Sequence, residues 1–120
     1  MKKLLAILSF SAFFSPCHAQ SFDLSFPNGL TVGMYGGSSY TCAECGLDQG
    51  YVFVRFNENL NQSWYSNCLN QRFYINTNSG GKAAYTSVLL AQLTGKKITR
   101  ILGNGPGAYS ICTLTWLQIE

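Results

Sequence analysis

A mainly β domain with one helix, in the order β-β-β-α-β-β, is what this sequence predicts for residues 20–120. Three observations carry that reading. Residues 51–56 are a run of β-branched and aromatic residues, residues 83–94 hold the one good amphipathic helix pattern, and Gly, Asn and Pro clusters punctuate the rest.

The elements follow in order. Residues 20–29 read as an extended N-terminal arm, with Phe22, Leu24 and Phe26 alternating before Pro27-Asn28-Gly29 turns the chain. Residues 31–35 form a first strand, ended by Gly36-Gly37. Tyr51-Val52-Phe53-Val54-Arg55-Phe56, bracketed by Gly50 and Asn57, is the strongest strand. Residues 57–70 are Asn-rich and read as a long connection to a third strand at 72–76. Asn78-Ser79-Gly80-Gly81 then supplies capping chemistry for a helix over 83–94. Tyr85, Val88, Leu89 and Leu93 share its expected inner face, and Gly95 occupies the left-handed position that ends it. A fourth strand at 98–102, a loop at 103–107 and a fifth strand at 114–119 complete the chain. Five strands with a helix between the third and fourth match the chain order of a five-stranded OB-like barrel. An open five-stranded sheet with a helix across one face gives the same string.

Residues 1–19 read as a secretory signal peptide. Met1-Lys2-Lys3 is a basic start, residues 4–14 are apolar except for Ser9 and Ser11, and Cys17-His18-Ala19 places small residues before a cut ahead of Gln20. A lipidated Cys17 is the competing reading, and Pro16 directly before it argues against lipidation. The expected product is secreted or periplasmic, with no transmembrane segment, because the apolar run is shorter than the roughly 20 residues a span needs. About 100 residues suffice for one domain with a modest core. With Lys2 and Lys3 gone, six basic residues face five acidic ones, a net charge of +1. Nucleic acid is therefore not an expected partner, since phosphate neutralisation needs clustered Lys and Arg. Lys96-Lys97 with Arg100 is the only local basic group along the sequence, and it reads as solvated strand-end charge.

Four cysteines remain after processing: Cys42, Cys45, Cys68 and Cys112. An even count in an exported domain this small points to two disulfides. A redox Cys42-Ala43-Glu44-Cys45 motif would need a helix N-terminus to lower the thiol pKa, and here the motif lies in a polar loop. A four-Cys zinc site usually has a second close pair, and Cys68 and Cys112 stand alone. No metal and no cofactor are expected. The preferred pairing is Cys68–Cys112 with Cys42–Cys45 as a local staple; pairing of Cys42 or Cys45 with Cys68 is the alternative. Closing a loop of about 45 residues is worth roughly 4 kcal/mol, and one of about 4 residues roughly 2 before strain.

Little in the sequence speaks for catalysis. The single histidine, His18, leaves with the leader, which removes Ser-His-Asp and Cys-His nucleophile systems. A glycosidase would need two of Asp23, Glu44, Asp48, Glu58 and Glu120 across one bond. They read instead as scattered solubilising carboxylates, which leaves a small carboxylate hydrolase as the weakest reading. Gly103-Asn104-Gly105-Pro106-Gly107 lacks the Lys-Ser/Thr ending and following helix of a phosphate loop. Aromatics are the better lead, with fourteen beyond the leader. Phe53, Phe73 and Tyr85 are expected to face inward. Trp64 and Tyr65, beside Asn67 in the Asn-rich connection, are candidate ligand contacts, because aromatic faces flanked by amides grip sugar rings. The structural alternative makes Trp64 a plug over the open barrel end. Tyr40 and Tyr109, also in loops, are lesser candidates.

The segment Ala83-Ala84-Tyr85-Thr86-Ser87-Val88-Leu89-Leu90-Ala91-Gln92-Leu93-Thr94-Gly95-Lys96-Lys97-Ile98-Thr99 runs a helix through Gly-Lys-Lys into a strand. With the leader and cysteines, it resembles the small exported OB-fold proteins related to B subunits of pertussis-like and subtilase-cytotoxin-like bacterial toxins. The similarity covers about the last 50 residues, through Cys112 to the final strand. It implies a ring-forming homo-oligomer that binds a cell-surface glycan and does not turn it over. The Cys42–Cys45 loop departs from that pattern, and no glycan-contact motif of the family maps onto this chain. The alternative expectation is a monomeric inhibitor or assembly factor with a protein partner and no sugar site.

Overall fold

A computed structural model describes residues 20–120; the signal-peptide reading and the cut after Ala19 lie outside them. The described residues form six strands: β1 Ser21–Leu30, β2 Val32–Ser38, β3 Tyr51–Phe56, β4 Phe73–Asn76, β5 Ile98–Asn104 and β6 Cys112–Ile119. One helix, α1 Ser79–Thr94, lies between β4 and β5. All six strands belong to one sheet in the order β1-β5-β6-β4-β3-β2. The sheet is open, with β1 and β2 at its edges, so the five-stranded expectation needs correction.

The extra strand is the segment read as an arm. The alternation of Phe22, Leu24 and Phe26 is a strand signal, and the strand is realised by antiparallel pairing from Ser21↔Asn104 to Ser25↔Arg100. Pro27-Asn28-Gly29 does not reverse the chain. It forms a register shift, after which Leu30 pairs with Ile98. Gly29 takes φ 78° there, and a Cβ on it would overlap the Lys97 side chain at 2.4 Å.

Thr31 marks the switch from one partner strand to another. Its N–H and hydroxyl both donate to the Glu58 carboxylate at 2.7 Å. Its carbonyl accepts from Asn57 N at 3.0 Å. The next residue, Val32, already pairs with Phe56 of β3.

Period-2 alternation in β3 sends Val52, Val54 and Phe56 into the main core with Leu30, Phe73, Ile75, Ile98, Ile101, Leu114 and Leu117. Tyr51 and Phe53 point the other way and pack with Leu47, Tyr74 and Ile111 on the outer face. Phe53 is thus not an inward residue, because its neighbours Val52 and Val54 hold the inner positions. Phe73 is fully buried, and Tyr85 packs against the core from its edge.

Helix α1 starts where Asn78 Oδ1 accepts from Gly81 N at 3.0 Å, and ends at Gly95 with φ 70°. Gly81 is required because a Cβ there would sit 1.4 Å from the Asn76 carbonyl. The buried positions are Ala84, Val88 and Ala91, and Leu93 is 81 % exposed. The expected inner stripe through Leu93 is therefore rotated. Small residues face the sheet because they let the helix lie close to β6 and β4.

Both disulfides form in the preferred pairing, Cys68–Cys112 and Cys42–Cys45. The first anchors the start of β6 beside β4, where the two strands pair in parallel through Phe73↔Cys112 and Tyr74↔Thr113.

Candidate functional site

The outer face of β3 and β4 carries a mainly apolar concavity. Tyr51 and Tyr74 form its floor, with ring centroids 5.2 Å apart in an edge-to-face arrangement. Its wall is the loop closed by Cys42–Cys45. There Cys42 N donates to Leu47 O at 2.8 Å and Leu47 N to Cys42 O at 2.9 Å. Gly46, at φ 78°, makes the tight return and lets Leu47 fold beneath. Leu69 and Ile111 close the sides of a groove of about 260 Å³.

Two tyrosines stand at the rim. Tyr40 is 80 % exposed and Tyr109 is 68 % exposed. Tyr109 and Ser110 hold left-handed backbone at φ 57° and 60°, uncommon for residues with a side chain. That turn is tied by Ser110 N to Gly107 O and Ile111 N to Ala108 O, each 3.1 Å. The neighbouring Glu44 carboxylate pushes the Tyr109 pKa above the ordinary tyrosine value. Glu44 comes from the disulfide loop, and the 43–45 and 108–110 turns lie close to each other. The result is a mainly apolar, aromatic trough whose exposed rings present faces and hydroxyls together.

The sequence candidates lie elsewhere. Trp64 stacks on Phe22 at 5.0 Å, meets Phe73 edge-on at 6.3 Å and lies beside Gly105. Tyr65 is buried, stacked on Phe73 at 5.6 Å, and its hydroxyl donates to Gln71 O at 2.7 Å. Burial raises the Tyr65 pKa, against a smaller opposing effect of Arg55. Asn67 is exposed at the end of the 3-10 turn Ser63–Asn67. None of the three lines the tyrosine groove, whereas the lesser candidates Tyr40 and Tyr109 both do.

Comparison with protein-family models, curated proteins and solved structures gives no match.

The carboxylates are spread over separate partners. Asp23 takes Arg100 in a bidentate pair at 2.6 and 2.8 Å, which lowers its pKa. Asp48 accepts from Asn76 at 2.7 Å. Burial pushes the Glu58 pKa up, but hydrogen bonds from the Thr31 N–H and hydroxyl, with Lys97 nearby, outweigh it and leave it lowered. No two of these acids face one another across the groove. Among the described residues, no group of three His, Cys, Asp or Glu side chains is placed to hold a metal. No helix among them is long and apolar enough to cross a membrane.

What sequence reasoning missed was the floor. Tyr51 is opposite in phase to Val52 and Val54, which is a readable sign of an outward aromatic. Tyr74 is likewise opposite in phase to Phe73 and Ile75, whereas Leu69 and Ile111 gave no such sign, since loops bring them to the groove.

Proposed function

We propose that this protein is an exported, non-catalytic binding module that grips a neutral sugar ring of a cell-surface glycan in the tyrosine groove. The observation that carries the reading is the exposed pair Tyr40 and Tyr109 above a Tyr51–Tyr74 floor. Sugar rings offer CH faces to aromatic planes and hydroxyls to polar rims, and this trough supplies both. Two disulfides favour an oxidising compartment.

An OB-like barrel remains our reading of the architecture, and the sheet's connectivity supports it. Taken as one long strand bent at Thr31, β1 and β2 leave five strands with the helix between the third and fourth. Both sheet edges then belong to that one strand, as closure would require. Resemblance to toxin B subunits, with ring assembly, is part of the same proposal.

A glycan array probed with purified protein, followed by Tyr109→Ala and Tyr40→Ala, tests the reading. We expect a defined set of neutral glycans to bind, and each variant to lose about fivefold, the scale of an aromatic contact worth roughly 1 kcal/mol. Absence of glycan binding, or full retention by both variants, contradicts it.

A second reading, a monomeric interaction factor, draws on Leu90 and Leu93, exposed on the outer side of α1. It predicts a monomeric mass in solution and a protein partner lost on Leu93→Lys.

A further inference from the structure

The two disulfides sit in opposite surroundings. Cys68 and Cys112 are 3 % and 0 % exposed, among the residues of the main core. Cys42 and Cys45 are only half-buried and lie on the outer face. The long bridge spans a sequence separation of 44, the short one a separation of 3. Cross-linking so short a loop removes little chain entropy from the unfolded state. Bridges within reach of solvent are also the ones that thiols open, whereas a thiol has no path to a fully buried bridge in a folded molecule.

The short bridge is itself part of the groove. Cys42 and Cys45 line it, and both pack against the cluster of Leu47, Tyr74 and Ile111. Within the 42–47 loop the backbone ties are the two hydrogen bonds between Cys42 and Leu47 and the 3-10 turn bonds Cys45 N to Cys42 O and Gly46 N to Ala43 O. Leu47 is the loop's one buried side chain. So few anchors place this loop at the low end of local stability once its covalent link is gone. The pair is not built as a catalytic dithiol. Its turn is a single 3-10 element, Ala43–Cys45, and the one charged residue there is Glu44, so nothing in the loop favours a thiolate.

We infer that Cys42–Cys45 is a reducible clasp on the groove: a small-molecule thiol of the glutathione class opens this bridge in preference to Cys68–Cys112, and opening it releases the groove wall and weakens binding there. A glutathione thiolate attacks one bridge sulfur; the S–S bond breaks as a mixed disulfide forms, and the other cysteine leaves as a thiolate. A second glutathione thiolate attacks the glutathione sulfur of that mixed disulfide, forming oxidised glutathione and freeing the first cysteine. Two electrons pass from the two glutathiones to the bridge, and their two thiol protons end on Cys42 and Cys45. The coupling is reciprocal, because a ligand that prefers the closed groove protects the bridge by the same factor. The inference rests on the groove reading and adds its regulation.

Three measurements test it. Native protein is equilibrated in glutathione buffers from oxidised to fully reduced, trapped with N-ethylmaleimide and mapped by peptide mass spectrometry. Alkylation of Cys42 and Cys45 in molecules that keep Cys68–Cys112 is expected; joint opening of both bridges, or a short bridge that resists fully reduced glutathione, overturns the clasp. Amide exchange then reads the loop without any ligand. The Cys42 and Leu47 N–H groups should exchange about tenfold faster in the selectively reduced protein, and unchanged exchange overturns the release of the wall. Finally, the glycan array is repeated on selectively reduced, unalkylated protein and on the Cys42→Ala, Cys45→Ala double variant. Binding should fall about tenfold on reduction, return on reoxidation, and be low and insensitive to glutathione in the double variant. Tyr109-dependent binding that selective reduction leaves unchanged overturns the clasp while the groove reading stands. Selective reduction with faster Leu47 exchange, in a protein that binds no glycan before reduction, leaves the reducible loop standing and the groove reading fallen.

Discussion

The two faces of the sheet draw on the same strands and end in opposite conditions. On the inner face Val54, Phe73, Ile75 and Ile101 are sealed beneath α1 and the neighbouring strands. On the outer face Tyr74 is buried, but Tyr51 and Phe53 beside it are only partly covered, by a disulfide loop and the 107–111 turn. Alternation along β3 and β4 supplies apolar side chains to both sides. What separates core from groove is the cover, and a cover made of short loops leaves room for something else.

Phe73→Ala gives the largest effect. Removing this fully buried ring should cost roughly 3–5 kcal/mol in denaturant unfolding. Comparable stability would mean that the inner face is not the main core. Loss of the Cys68–Cys112 bridge comes next, since it closes the long loop and fixes the parallel β4–β6 pair: roughly 2–5 kcal/mol. Loss of Cys42–Cys45 should cost about 2 kcal/mol or less, because the loop it closes is short. It should nevertheless weaken glycan binding more than loss of the long bridge does in molecules that remain folded. Equal effects of the two bridges on binding would erase the distinction between the faces.

Most of the inner face was legible in the sequence, and most of the outer site was not. The run at 51–56 became β3 without change, because bracketing Gly50 and Asn57 agree with its β-branched core. The alternation of Phe22, Leu24 and Phe26 carried the right signal for β1, but Pro27-Asn28-Gly29 looked like a reversal. Only pairing with β5 shows it to be a bulge. The helix was legible from its caps, and Val88 was rightly placed on its buried side, but Leu93 was not. Hydrophobicity favours leucines, whereas close packing on a sheet favours Ala84 and Ala91. The groove depends on residues 40–47, 69, 74 and 109–111 meeting in space, and no local pattern encodes that meeting.

A smaller effect concerns the hinge between β1 and β2. The lowered Glu58 pKa means that its contacts with Thr31 add stability while the carboxylate is charged. That contribution is present above the ordinary Glu value of about 4.3 and is lost as pH falls through the lower folded value. Glu58→Gln should therefore flatten the acid limb of the stability profile and leave Tyr109-dependent binding unchanged. An unaltered acid limb would show that Thr31 is held by the strands alone.

The most direct test follows aromatic ring protons by NMR while the best-ranked array oligosaccharide is added to the native protein. The account predicts that Tyr40 and Tyr109 shift in a saturable manner while the Trp64 indole, packed on Phe22, stays still. A titration that moves Trp64 first and leaves the rim tyrosines unchanged would contradict it.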